Sequence, residues 1–455
     1  MPMSGDPEDA GGQRRALSTA DATVLVVSNV VGVGIFLTPA GVATLAGRPG
    51  WYFGLWLCGG AIALAGALSY AELGAALPRA GGEYVYLREA YGPLWGFLHA
   101  WSSFLVTLSG AMAAIAVGVA EYGIRALGLA AAGAPPPATV RGAAIGAVLG
   151  VTVLNWVGVK ASSRFQNALT AVTLGAIGLL VGLGFGGGRG SAGHFFATGA
   201  PGGMGPTWLA LGAALVPIFF TYAGWNAPTY VAGEIHRPER AIPRSLALGT
   251  GATIAIYLAL NALYVYAFPL DRLREAATVG EAAARALIGP GAAAGLAGLI
   301  TLTTLCALNA TVMTAARIPY ALGRDGAIWP ALGKLDPRTG TPARTLGLQA
   351  AWACALIATG TFQSLLAFST LMMILLSGLA VAGVFVLRAR APHLPRPYRA
   401  WGYPLVPGLY LAACIGMAIS ALLEHPAASL GALAILAAGV PVFHWQAARA
   451  ARGGP

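Results

Sequence analysis

Apolar runs of about 20 residues recur along the whole chain, and short polar segments between them hold nearly all the charge. Runs of that length match the hydrocarbon thickness of a bilayer when helical. Twelve spans are expected, near residues 22–45, 52–77, 94–122, 143–159, 168–185 and 208–232, then 246–268, 292–322, 346–361, 365–387, 405–423 and 428–443. The fold class is therefore all-α, that of a polytopic membrane protein.

Two of these spans carry helix breakers at their centres. The first reads "SNVVGVGIFLTPAG" over 28–41, with Gly32, Gly34, Pro39 and Gly41. The sixth reads "FFTYAGWNAPTYVAGE" over 219–234, with Gly224 and Pro228. Irregular backbone at membrane depth is tolerated only where it is buried or lines a cavity. Breaks in spans one and six are what two five-helix halves give if each half opens with its broken helix, and such pairs point to a transporter site. The expected organisation is a tail over 1–20, a first repeat over 21–186 and an outer loop over 187–206. A second repeat over 207–388 follows, then two further helices and a tail over 389–455.

The breaks suggest chemistry. Where the first helix restarts, the N–H groups of Val33, Gly34 and Ile35 lack intrahelical partners, and the helix dipole points the same way. That suits a carboxylate, which glycine lets approach closely. The carbonyls of Val30, Phe220 and Ala223 are expected to be free and suit an ammonium. Both groups sit one carbon apart in an α-amino acid. Close helix packing is the alternative use of these glycines.

Charge refines the topology. The chain is 57% hydrophobic and 9% charged, against about 25% charged in a soluble domain, with a mean hydropathy of +0.71. Of the 27 Lys and Arg, only Arg48, Arg125, Arg141, Arg189, Arg272, Arg274 and Arg285 fall outside when the N-terminus is cytosolic. This follows the positive-inside rule, so the net charge of +11 marks orientation rather than nucleic acid, and both termini are expected to be cytosolic. All sixteen Asp and Glu fall in tails, loops or span ends, so no acid is expected in the pocket. The four cysteines lie in apolar runs as small buried hydrophobes, without metal-ligand spacing. No metal or other cofactor is expected, and no cleavable signal peptide.

Five segments together resemble the amino acid–polyamine–organocation superfamily, above all its L-type amino acid transporter branch and bacterial relatives. They are "VGVGIFLTPAG", "SYAELGAALPRAGGEYVYLREAYGP", "FTYAGWN" with "EIHRPERAIPRSL", "NATVMTAARIPYALGRDG" and "RPYRAWGYPLVP". The resemblance implies a LeuT-type 5+5 inverted repeat plus two helices, alternating access and a substrate site at mid-membrane. It implies that Val33 and Gly34 bind the substrate carboxylate, and that Val30, Phe220 and Ala223 offer carbonyls to its ammonium. The Phe220 ring matches an aromatic that shuts the pocket. Asn226 matches a polar pocket residue, with a helix-to-helix hydrogen bond as the alternative. Where the branch has a coupling lysine in helix 5, "RFQNALTAVTLGAIG" puts Thr173, which leaves sodium, a proton or water for that role. The segment "YGIRALGLAAAGAPPPATVR" has no cysteine, so no disulfide-linked heavy chain is expected.

The leading function is secondary transport of neutral amino acids. A cationic amino acid or polyamine carrier is disfavoured by the missing acid. A sensor that binds without transport is the alternative of another class. No H-E-x-x-H, G-x-S-x-G or dinucleotide fingerprint supports an enzyme. At the cytosolic ends, Glu72, Arg79, Glu83, Arg88, Glu234, Arg317, Arg324 and Asp325 read mostly as solvated interfacial charge, with a charged gate as the functional alternative.

Overall fold

Residues 15–129, 135–197, 207–276, 278–360 and 362–452 are described here from a computed structural model of the chain. The first half contains α1 (Thr19–Val30), α2 (Gly34–Ala46), α3 (Pro49–Ala76), α4 (Glu83–Tyr91), α5 (Pro93–Ser102), α6 (Leu108–Ala126), α7 (Pro137–Val157) and α8 (Val159–Gly186). The second begins with α9 (Trp208–Thr221), α10 (Ala227–Tyr230), α11 (Pro238–Ala267), α12 (Leu270–Leu273), α13 (Val279–Leu287) and α14 (Ala292–Ala315). It continues with α15 (Arg317–Arg324), α16 (Ala343–Thr359), α17 (Phe362–Arg390), α18 (Leu405–Glu424) and α19 (Pro426–Arg452).

Among the described residues, nine helices are long and apolar enough to cross a membrane, and α1 with α2 makes a tenth, bent by 50° at its break. The sixth and ninth expected spans are shorter, with 14 residues in α9 and 17 in α16. The sixth is shortened because its lower half unwinds after Thr221. Helix starts are set locally: Pro49, Pro93, Pro137 and Pro238 each occupy a first helical turn, where the missing N–H costs nothing. Ser18 and Asp21 form a capping box on α1, and Asp21 also accepts from Ser163 (3.3 Å) and Asn167, which anchors α1 to α8.

Helices far apart in the chain pack on one another: α2 on α9, α3 on α11, α6 on α14 and α7 on α16. The buried core runs between them. Large apolar side chains such as Val172, Leu179 and Leu183 on α8, Ile415 on α18 and Leu430 on α19 point outward, as a lipid-facing surface requires. Cys306 and Cys414 are buried as expected, whereas Cys58 is exposed and Cys354 half-buried, because α3 and α16 turn those positions away from the core.

One end of the bundle departs from the sequence expectation. Its charges are not mostly solvated. Glu72, Glu234 and Arg317 are 2%, 2% and 1% exposed. Arg317 forms a two-pronged pair with Glu234 (Nε–Oε1 3.0 Å, Nη2–Oε2 3.1 Å) and donates to the Met313 carbonyl. Glu72 binds Arg388 at 2.9 and 2.6 Å and the Ala400 N–H at 2.6 Å. Arg88 pairs with Asp325, which also accepts from the Tyr84 hydroxyl at 2.7 Å. The incoming chain joins in: the N–H groups of Ala16 and Leu17 both donate to the Glu234 carbonyl at 2.8 Å. Charges distant in sequence meet here, and burial follows from the pairing. The earlier part of the tail, part of the 187–206 loop and the centre of the loop between the third and fourth spans lie outside the described residues.

Candidate functional site

The two breaks face each other across a cavity of about 190 Å³. Val30, Val33 and Gly34 line it from the first break; Phe220, Ala223, Gly224 and Asn226 line it from the second. Its walls add Ser103 and Thr107 from the third span, Thr304 and Thr311 from α14, and Ser377 from α17. Ile115, Met373 and Leu376 supply an apolar face.

The helix 1 restart has an open end. Val33 is the N-cap of α2 and no side chain caps it; the Phe36 N–H donates to the Val33 carbonyl at 3.0 Å, and the N–H groups before it are left for whatever occupies the cavity. Gly34 has a second reason to be glycine. A Cβ there would lie 3.0–3.3 Å from three atoms of Thr221, whose hydroxyl is held by the Pro217 carbonyl (2.8 Å) and Thr38 (3.0 Å). Close packing and an open approach to the backbone coincide at this position. Ile35, expected at the site, does not line the cavity; its side chain is fully buried in the core on the far side of α2.

In the sixth span, Gly224 holds φ +107°, a conformation glycine reaches without strain. The Asn29 amide donates to its carbonyl at 3.0 Å and thereby ties the two breaks together, while Thr311 donates to the Asn29 oxygen at 3.3 Å.

The carbonyls are not all free. The Tyr257 hydroxyl, on α11, lies 2.7 Å from the Val30 oxygen and 2.9 Å from the Thr221 oxygen. Phe220 accepts from the Ala223 N–H at 3.1 Å. Each carbonyl has two lone pairs, so Val30 and Phe220 keep capacity for one further donor.

One acid overturns the expectation of an acid-free pocket, and a histidine accompanies it. Glu83, the first residue of α4, and His99 on α5 both line the cavity, at 6% and 1% exposure. Glu83 Oε2 lies 2.7 Å from His99 Nε2; its Oε1 accepts from Asn226 at 2.9 Å and from the Tyr70 hydroxyl. Asn226 thus serves both as a cavity residue and as an inter-helix donor. The reason is topological: α4 folds back into the bundle before the third span begins, carrying a residue from a polar segment into the interior. His99 had a sequence signal, as an ionisable residue within an apolar span.

Sequence reasoning also missed the widened turn at Ser103–Thr107, a π-helical segment. Such turns recur at functional sites. Its released carbonyls are collected by neighbours: Leu105 by the Trp352 indole (3.0 Å), Phe104 by Ser109 and Val106 by Ser369 (3.5 Å).

Thr173 does not line the cavity. It is 3% exposed on α8, with its hydroxyl 3.7 Å from the Cys306 sulfur of α14. Thr170 approaches the same sulfur at 3.9 Å. A sulfur and hydroxyls make a poor set of ligands for a hard cation, which prefers several oxygens. Among the described residues no group of three or more His, Cys, Asp and Glu could hold a metal ion.

A lipid-facing helical bundle with two interrupted helices meeting at an internal polar cavity defines a membrane transporter of the broken-helix class. The chain belongs to the amino acid permease family, whose model matches residues 17–441. It is a multi-pass amino acid transporter, not an enzyme. It is 29% identical over 441 residues to the large neutral amino acids transporter small subunit 2 of Mus musculus, covering 95% of this chain and 82% of the relative. It is 27% identical over 436 residues to the Asc-type amino acid transporter 1 of Mus musculus, covering 94% and 81%. It is 27% identical over 450 residues to the cystine/glutamate transporter of Homo sapiens, covering 98% and 88%.

Proposed function

We propose that the protein is a secondary transporter, a permease or exchanger, for neutral amino acids in the plasma (inner) membrane. The observation that carries this is the cavity bounded by an uncapped helix start at Val33–Gly34 on one side and by the Phe220–Asn226 break on the other. The α2 N–H groups receive the substrate carboxylate, and the carbonyls of Val30, Phe220 and Ala223 receive its ammonium. The side chain lies against Ile115, Met373 and Leu376, and Phe220 closes the pocket over it. The names of the mouse relatives, one for large neutral amino acids, support this class.

The packing of α2 on α9, α3 on α11, α6 on α14 and α7 on α16 supports two inverted repeats, 21–186 and 207–388, that rock about the cavity. Both termini are cytosolic by the charge distribution. That end is then the one pinned by the Arg317–Glu234 and Arg388–Glu72 pairs. No disulfide-linked heavy chain attaches through the loop between the third and fourth spans, where the sequence has no cysteine.

Glu83 in the cavity wall favours a second reading, a carrier of cationic amino acids or polyamines. Its carboxylate is already hydrogen-bonded to His99, Asn226 and Tyr70, which favours a neutral substrate. Uptake of a panel of labelled amino acids into proteoliposomes, with and without internal substrate, tests both readings and distinguishes transport from sensing. Neutral amino acids should compete better than arginine, lysine or putrescine. Stronger competition by arginine or putrescine than by every neutral amino acid would favour the second reading.

A further inference from the structure

We propose that Glu83 and His99 form a proton-binding site in the wall of the cavity, and that one proton travels with each amino acid. This rests on the transport reading above. The two side chains are buried, yet both line the space that substrate fills, so protons reach them through the cavity. The groups that face the pair are uncharged: Tyr70 from α3, Tyr86 from α4, Tyr230 from α10, Tyr410 from α18, Ser103 and Asn226. Within this cluster His99 is the partner able to offset the carboxylate.

The chemistry follows from His99. With a neutral imidazole, Nε2–H donates to Glu83 Oε2 and Nδ1 presents a bare lone pair. Nδ1 is buried and has no hydrogen-bond partner. The cluster then holds one uncompensated negative charge, a costly state away from water. A proton that enters from the cavity and is taken up by the pair leaves both ring nitrogens protonated, forms the imidazolium and makes the cluster neutral.

Coupling to substrate runs through Asn226. Its amide holds Glu83 Oε1 at 2.9 Å, and it stands two residues after Gly224 in the second break. When the cavity opens to the opposite side, amino acid and proton are released together. A neutral zwitterion plus a proton carries one positive charge, so transport is electrogenic.

The test uses the whole protein in proteoliposomes with trapped pyranine, and labelled L-alanine, L-serine and L-leucine, each added singly. Influx should acidify the lumen by about one proton per amino acid, and an inside-negative potassium diffusion potential should speed it several-fold. Uptake should fall several-fold as the external pH is raised, because each cycle takes up one proton. In His99→Gln and in Glu83→Gln the ratio of protons to amino acid should drop toward zero, whatever rate remains. The ratio is the readout, and the two variants guard against loss of folding in either. Amino acid entry in wild type without acidification, or an unchanged ratio in a variant that transports, overturns the proposal. No entry of any of the three, with or without trapped amino acid, overturns the transport reading itself.

Discussion

Replacing Tyr257 by Phe removes one oxygen from the centre of the molecule. Tyr257 is fully buried, and its hydroxyl stands between two carbonyls, Val30 at 2.7 Å and Thr221 at 2.9 Å. These are the residues at which the first and sixth spans stop being helical, so a single phenol bridges both breaks. A phenol carries one proton and serves one carbonyl at a time. The variant therefore loses one net hydrogen bond and leaves a buried carbonyl without its donor, a penalty of about 1–3 kcal/mol. The ring remains and keeps its packing against Trp56 and Tyr222, so no cavity term adds. If the bridged geometry is the one that binds substrate, that penalty corresponds to an affinity loss of about 5- to 150-fold. Equilibrium binding of the best labelled substrate to purified protein measures it, with monodispersity on size exclusion as the control for folding. A folded Tyr257→Phe protein with unchanged affinity and unchanged thermal stability would show that the bridge does not hold the breaks.

Three further predictions concern neighbouring features. Arg317→Met removes the buried guanidinium that pairs with Glu234 and should cost about 3–5 kcal/mol, whereas the double change with Glu234→Gln should recover part of that loss in a thermal melt; equal melting of single and double variants would refute it. Gly34→Ala should cost about 1–3 kcal/mol by overpacking Thr221, and Thr221→Ala should restore part of the stability in the double variant; no rescue would mean that the glycine serves backbone access alone. Uptake should be the same in sodium and in choline, because Thr173 meets a sulfur rather than a cluster of oxygens, and Thr173→Lys should destabilise the protein by burying an unpaired ammonium; a several-fold fall in choline would refute the first part.

The sequence by itself determined the membrane class and the place of the breaks. Apolar length is a one-dimensional property, so the spans could be read directly from the order of residues. Gly32, Gly34, Gly224 and Pro228 act on their own backbone, so the interruptions in spans one and six were equally legible, and with them the part of the cavity lining that those two breaks supply. Only the tertiary structure decided which polar groups meet. Glu83 and Glu234 read as loop charges because chain position does not say which way α4 or the end of the sixth span turns. Folding brings Glu83 to His99, 16 residues on, and Glu234 to Arg317, 83 residues on. Tyr257 carried no signal at all in an apolar run, since its role exists only where α11 passes both breaks. That the Thr173 hydroxyl meets the Cys306 sulfur, 133 residues on, is likewise settled only by the packing of α8 on α14. Local conformation is written in adjacent residues; charge pairing and hydrogen-bond satisfaction in the interior depend on distances that only the folded chain sets.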